Sequence, residues 1–246
     1  MPTPGHAAGI IIGNEVLTAK VVDTNGVLLI SRLRQHGIHL QSCVMIRDDV
    51  DAIVDAVSRA RASAQWVFTS GGIGPTHDDV TVRAVALAMG RPVVRLAEME
   101  KMIRSYLGDR EPTAAALRLA DAPAGSRLIH SEHTRYPVLA CEDVFMLPGV
   151  PELFREQLDV VLRGLPKQSV AVKAMFLNAR EIDIAEALDE VALARPQVAI
   201  GSYPVFDSTL DYRLKITIEH ADALEVAQAM ASFIARIDSR LIVRIE

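Results

Sequence analysis

Thr69 to Asp79 reads TSGGIGPTHDD, with three glycines and a proline in eleven residues and two adjacent aspartates at the end. Gly71, Gly72 and Gly74 free the backbone for conformations closed to other residues and let a ligand approach the main-chain amides. Thr76 is placed to cap a following helix, and Asp79, three residues on, completes a capping-box-like pattern. The first N–H groups of that helix, with Ser70 at the end of the preceding strand, would attract an anion. Asp78 and Asp79 would repel a phosphate unless a cation stood between them. Mg²⁺ meets that need, because it commonly joins one or two carboxylates to substrate phosphates. Two readings follow from the spacing: a site for a phosphorylated ligand with a metal, or a tight loop before a well-capped helix. No lysine follows the glycines as in a Walker loop, and the stretch is not a GxGxxG fingerprint.

Other residues able to do chemistry fall at equivalent points of the chain. Glu15 follows Gly13, the segment Asp23-Thr24-Asn25 opens a predicted helix, and Asp48 and Asp49 follow a predicted strand. All would sit on one edge of a parallel sheet with the glycine loop, and such convergence points to a pocket. Alone, Asp23 and Asp49 read as helix caps. The PGVP turn (148–151) brings Pro148 and Gly149 towards the same edge, as a pocket wall or only as a rigid start to the next helix. No HxxxH or HxH pair marks a zinc site, no GxSxG elbow is present, and neither Cys43 nor Cys141 has a histidine partner in sequence.

The elements that must position these residues alternate. AAGIII (7–12), HLQSCVMI (39–46) and QWVFTS (65–70) read as strands. Between them lie a predicted helix carrying Val27, Ile30 and Leu33 at helical spacing and ended by Gly37, and a second within 48–63. A third helix runs from the glycine loop to Gly90, two more fill 97–121, and RYPVLAC and DVFML are extended. Strand and helix in alternation predict βαβ units and a parallel sheet. Beyond about residue 167 the order becomes β-α-β-β-α-β. In it Ile182, Ile184, Leu188 and Val191 lie on one helix side, and Tyr212, Leu214, Ile216 and Ile218 alternate along a strand. The fold class is therefore α/β: a three-layer parallel-sheet domain over 1–167, then a small ferredoxin-like α+β domain over 168–246.

Composition removes several classes of function. The chain of 246 residues is 50% hydrophobic and 23% charged, enough for a core without disulfides. A net charge of −5 argues against sustained nucleic-acid binding. No apolar run is long enough to span a bilayer, and no basic, apolar leader opens the chain. Two cysteines suit a reducing, cytoplasmic setting.

With these motifs in order, the chain resembles the molybdopterin-binding domain family, which includes MoaB and MogA. TSGGIGPTHDDVT (69–81) carries the signature, and GNEVLTAKVVDTNGVLLISRLRQHGI (13–38), RDD (47–49) and FMLPGVPELF (145–154) match in order. These segments resemble most the branch of CinA and the N-terminal region of eukaryotic FAD synthase, and GSYPVFDSTLDYRLKI (201–216) extends the similarity to that branch's second domain. The resemblance implies a three-layer, often homo-oligomeric α/β domain whose glycine loop binds a pterin or nucleotide phosphate. It implies that Asp79 is the aspartate needed for adenylyl chemistry and that Asp48 is a second acidic position. It also implies metal-dependent hydrolysis of nucleotide pyrophosphates such as ADP-ribose or FAD, with Glu15, Asp78 and Asp79 as cation ligands. Molybdopterin adenylylation and ligand holding without turnover are the alternatives. The family's GDE is GNE here, so Asn14 replaces an aspartate. At 246 residues, no room is expected for a deamidase or FAD-synthesising domain.

Overall fold

The computed structural model describes residues 5–132, 134–207 and 209–246. The chain divides into two compact units, residues 1–167 and 168–246.

The first unit begins with β1 (His6–Ile12), the four-residue helix α1 (Asn14–Leu17), α2 (Asn25–His36), β2 (His39–Ile46), α3 (Val50–Ser63) and β3 (Trp66–Ser70). After the glycine loop come α4 (Thr81–Ala88), β4 (Val93–Arg95), α5 (Ala97–Leu107), α6 (Ala114–Arg118) and β5 (Asp121–Pro123). Then follow β6 (Arg127–Ile129), β7 (Val138–Cys141), β8 (Val144–Leu147) and α7 (Pro151–Arg163). The main sheet has the order β2-β1-β3-β8-β7-β6. β1 pairs in parallel with β2 and β3, and β3 with β8.

Successive strand residues point to opposite faces, and both faces here are covered. Ala8, Ile10 and Ile12, Val67, and Val144 and Met146 pack with Ile53 and Val57 of α3 and Val85 of α4. Phe68, Phe145 and Leu147 pack on the other side with Leu29 and Leu33 of α2 and Phe154 and Leu158 of α7. A sheet between two helical layers is the result. It explains why the strands read as continuous apolar runs.

Two local features differ from the sequence reading. The sheet is mixed, because β7 runs antiparallel to β8 and β6 antiparallel to β7. Only Glu142 and Asp143 separate β7 from β8, and a connection that short permits nothing but a hairpin. On α2, Val27 and Ile30 are 66% and 47% exposed; the buried stripe instead follows Asn25, Leu29 and Leu33 at four-residue spacing.

The second unit contains β9 (Ala171–Leu177), α8 (Ala185–Ala194), β10 (Ala199–Pro204), β11 (Leu214–His220), α9 (Ala223–Ile234) and β12 (Ile242–Ile245). Its antiparallel sheet has the order β10-β11-β9-β12, the split-βαβ arrangement. Leu214, Ile216 and Ile218 bury against Val226, Met230 and Phe233 of α9 and Val191 of α8. Ile182 does not join that face: it lies in the 3-10 turn 181–183, ahead of α8, and is 77% exposed.

Candidate active site

Three adjacent strands, β1, β3 and β8, deliver their carboxyl ends side by side. Gly13 and Glu15 follow the first, the glycine loop the second, and Pro148 and Gly149 the third. Gly71 N donates to Leu147 O at 3.0 Å, Thr81 N to Gly72 O at 2.9 Å and Thr81 Oγ1 to Gly71 O at 2.8 Å. Both ends of the loop are thereby pinned. Gly71 and Gly72 have φ of 99° and 69°, the left-handed region, and an added Cβ would lie 2.3 Å from Ile12 O and 2.2 Å from Thr81 Oγ1 respectively. Only glycine fits either place.

Thr76 does not cap a helix. α4 begins at Thr81, and the Thr76 N–H and hydroxyl both donate to Asp79 Oδ2, at 2.7 and 2.5 Å. The pattern that reads as a capping box closes the loop on itself instead. Gly74 permits this, since a Cβ there would meet Asp79 Oδ2 at 2.6 Å.

A cleft of about 1200 Å³ opens over this edge, lined by Glu15, Asp48, Gly71, Gly72, Gly74, Asp78, Asp79, Pro148 and Gly149 among others. These candidates therefore come together. Asn25 and Ser70 are buried rather than lining the cleft: Asn25 Nδ2 donates to Ser70 Oγ at 2.9 Å and to Gly149 O at 2.8 Å. Thr24 and Thr76 are exposed and not among the lining residues. Asp49 caps α3 by accepting from Ala52 N, and Asp23 accepts from Gly26 N, each at 2.9 Å. For Asp49 the capping reading holds; the N-cap of α2 is Thr24, and Asp23 supports that helix start from one residue before it.

Asp48 Oδ2 accepts from Asn14 N at 2.8 Å. The contact uses the main chain of residue 14, so it does not depend on the side chain that departs from GDE. Burial raises the Asp48 pKa from its ordinary value, the bond from Asn14 N opposes this, and the charges of Glu15 and Asp78 add to the rise. Among the described residues no three His, Cys, Asp or Glu side chains stand close enough to form a metal cage. The all-oxygen, mutually repelling carboxylates fit a hard cation whose shell water and substrate phosphate complete.

The rest of the cleft lining was not legible from motif spacing. It includes Met99, Met102 and Tyr106 of α5, Arg118 of α6, and Arg135 and Tyr136 ahead of β7. Arg118 donates to Pro75 O at 2.5 Å, which ties α6 to the glycine loop.

Residues 8–168 match the family described as "Probable molybdopterin binding domain". The chain belongs to the molybdopterin-binding domain family. Residues 169–246 match "FAD synthase, middle domain", so both regions have a counterpart in the CinA-like branch of this family. A family relative from Archaeoglobus fulgidus is 30% identical over 79% of this chain and 84% of its own length. A "Probable FAD synthase" of Caenorhabditis elegans is 29% identical over 94% of this chain, which spans only 50% of that protein. The solved structure of CinA, "with unknown function", from Thermoplasma acidophilum shares 30% identity and a TM-score of 0.61 over 65% of this chain and 98% of that one. This molybdopterin-binding-domain chain has, among its described residues, no helix long and apolar enough to cross a membrane.

Proposed function

We propose that the cleft binds a nucleotide diphosphate compound of the ADP-ribose or FAD type and hydrolyses its diphosphate with Mg²⁺. The observation that supports this is the gathering of Glu15, Asp48, Asp78 and Asp79 beside the glycine loop in one cleft. Carboxylates alone would expel a diphosphate. Mg²⁺ held by one or two of Asp78, Asp79 and Glu15, with water and the diphosphate filling its shell, would supply the neutralising charge. The loop around Gly71, Gly72 and Gly74 presents main-chain groups to phosphate oxygens, and Pro148 and Gly149 close the adjacent side. Asp48, whose proton affinity is raised, suits a base that takes a proton from the attacking water. The water oxygen bonds to one phosphorus, the bridging P–O bond breaks, and ADP-ribose yields AMP and ribose 5-phosphate.

Adenylylation of molybdopterin would use the same pocket with a pterin phosphate in place of water. The match of residues 169–246 to an FAD synthase domain supports a nucleotide ligand over a pterin. The test is chromatographic detection of AMP after incubation with ADP-ribose, FAD and Mg²⁺. AMP release should stop with a chelator and fall by about 100-fold or more in Asp79→Asn. Release no greater than in that variant, for every compound tried, sinks the proposal. Tight binding without product would leave a holding role.

A further inference from the structure

The cleft is larger than a metal-bridged diphosphate needs, and its lining holds two kinds of chemistry. One is the carboxylates. In the other, the Arg135 guanidinium lies 5.5 Å from the centre of the Tyr106 ring and 5.7 Å from that of Tyr136. Half of the chain's four tyrosines thus meet at one arginine. Tyr106 is 66% exposed and Tyr136 41% exposed, so neither ring is consumed by the core. Among the described residues no carboxylate pairs with Arg135, while the nearby acid Glu98 is held by His130 Nε2 at 2.9 Å. Met99 and Met102, in the same lining, are half-buried thioethers that adapt to flat surfaces of varied outline.

A cation over exposed rings gains little from them in water, too little to explain both tyrosines by stability. The same three groups offer π faces and guanidinium donors to a planar ring that carries nitrogen acceptors. We infer that Tyr106, Arg135 and Tyr136 form a seat for the heteroaromatic ring of the ligand, and so restrict the cleft to ring-bearing phosphates. This rests on the reading of the carboxylates and glycine loop as a phosphate site, and it names the class of compound that site receives.

AMP and ribose 5-phosphate, the two halves of ADP-ribose, separate the ideas, because both carry the phosphate and only one carries the ring. Calorimetry with each, at equal Mg²⁺, should give AMP an affinity at least about tenfold higher. Tyr106→Ala and Arg135→Ala should each collapse that ratio, and Tyr106→Phe should restore it. Both wild-type positions are exposed, and circular dichroism checks that the variants fold. Equal affinity for the two halves, or a ratio untouched by both alanine variants, overturns the ring seat even if ADP-ribose is cleaved. A ratio that collapses in the variants while no diphosphate is ever cleaved upholds the seat and removes the hydrolase reading.

Discussion

Asn25 Nδ2 donates to Ser70 Oγ at 2.9 Å across 45 residues of sequence, and its second proton goes to Gly149 O at 2.8 Å. One buried amide therefore fastens the start of α2 to the end of β3 and to the PGVP turn. The two donated bonds make Asn25 a strut behind the cleft floor. Asn25→Ala leaves the Gly149 carbonyl without its donor and should cost about 1–3 kcal/mol. Asn25→Asp, which faces that carbonyl with a charge, should cost more. Urea unfolding of the three proteins orders them.

Gly71→Ala should be among the most damaging single changes near the site. It places a Cβ at a φ of 99° and 2.3 Å from Ile12 O, which cannot retreat without moving β1. A loss of about 1–3 kcal/mol is expected from the conformation alone. Gly90→Ala is the control: it shares a positive φ, 63°, but has nothing within 4 Å, so it should lose less. Thermal unfolding of both variants checks the difference.

Asp48→Asn should separate function from stability. The folded pKa of Asp48 is raised, so the folded state holds the proton more tightly than the unfolded chain. The sign follows: stability from this group is greatest below the unfolded pKa and falls as pH rises through the folded one. At neutral pH the wild type carries that loss and the asparagine variant does not. Stability should be unchanged or higher, by no more than about 1 kcal/mol given partial solvent screening. AMP release should drop. A large destabilisation at pH 7 would contradict this account of Asp48.

Cys43 should react slowly with iodoacetamide. Burial raises its thiol pKa, and the nearby charge of Asp23 adds to the effect. Less thiolate is then present at neutral pH than in a free peptide thiol. The curve of alkylation rate against pH should be displaced to higher pH relative to a cysteine peptide, and should move back towards it in Asp23→Asn. Cys141, fully buried, should react only on unfolding.

The strands were legible because burial on both faces leaves an unbroken apolar signature, as in Ala7 to Ile12, and burial on one face leaves alternation, as in Leu214, Ile216 and Ile218. The amphipathic direction of α2 was not. Apolar residues occupy 27 to 30 without a break, and only contact with β1 and α7 selects Leu29 over Val27 and Ile30. Thr76 misled for a related reason. Asp79 has the spacing of a capping partner, yet positive φ at Gly71 and Gly72 turns the chain so that the loop closes before the helix starts. The glycine loop and its acidic neighbours could be read because the end of each strand names its own edge. Tyr106 could not be joined to the Arg135–Tyr136 pair, since the two segments meet only through tertiary packing.

β4 and β5 pair with each other and with no strand of the main sheet, with Val93 opposite Pro123 and Arg95 opposite Asp121. The excursion that carries α5 and α6 thus leaves and re-enters the first unit at neighbouring points, as transplantable insertions do. Its stem could be kept while the intervening segment is exchanged for that of a relative, with the carboxylates and the glycine loop untouched. Tyr106 and the methionines beside it would then be inherited as a cassette, free to diverge faster than the chemistry they serve, while Arg135 and Tyr136 stay with the host.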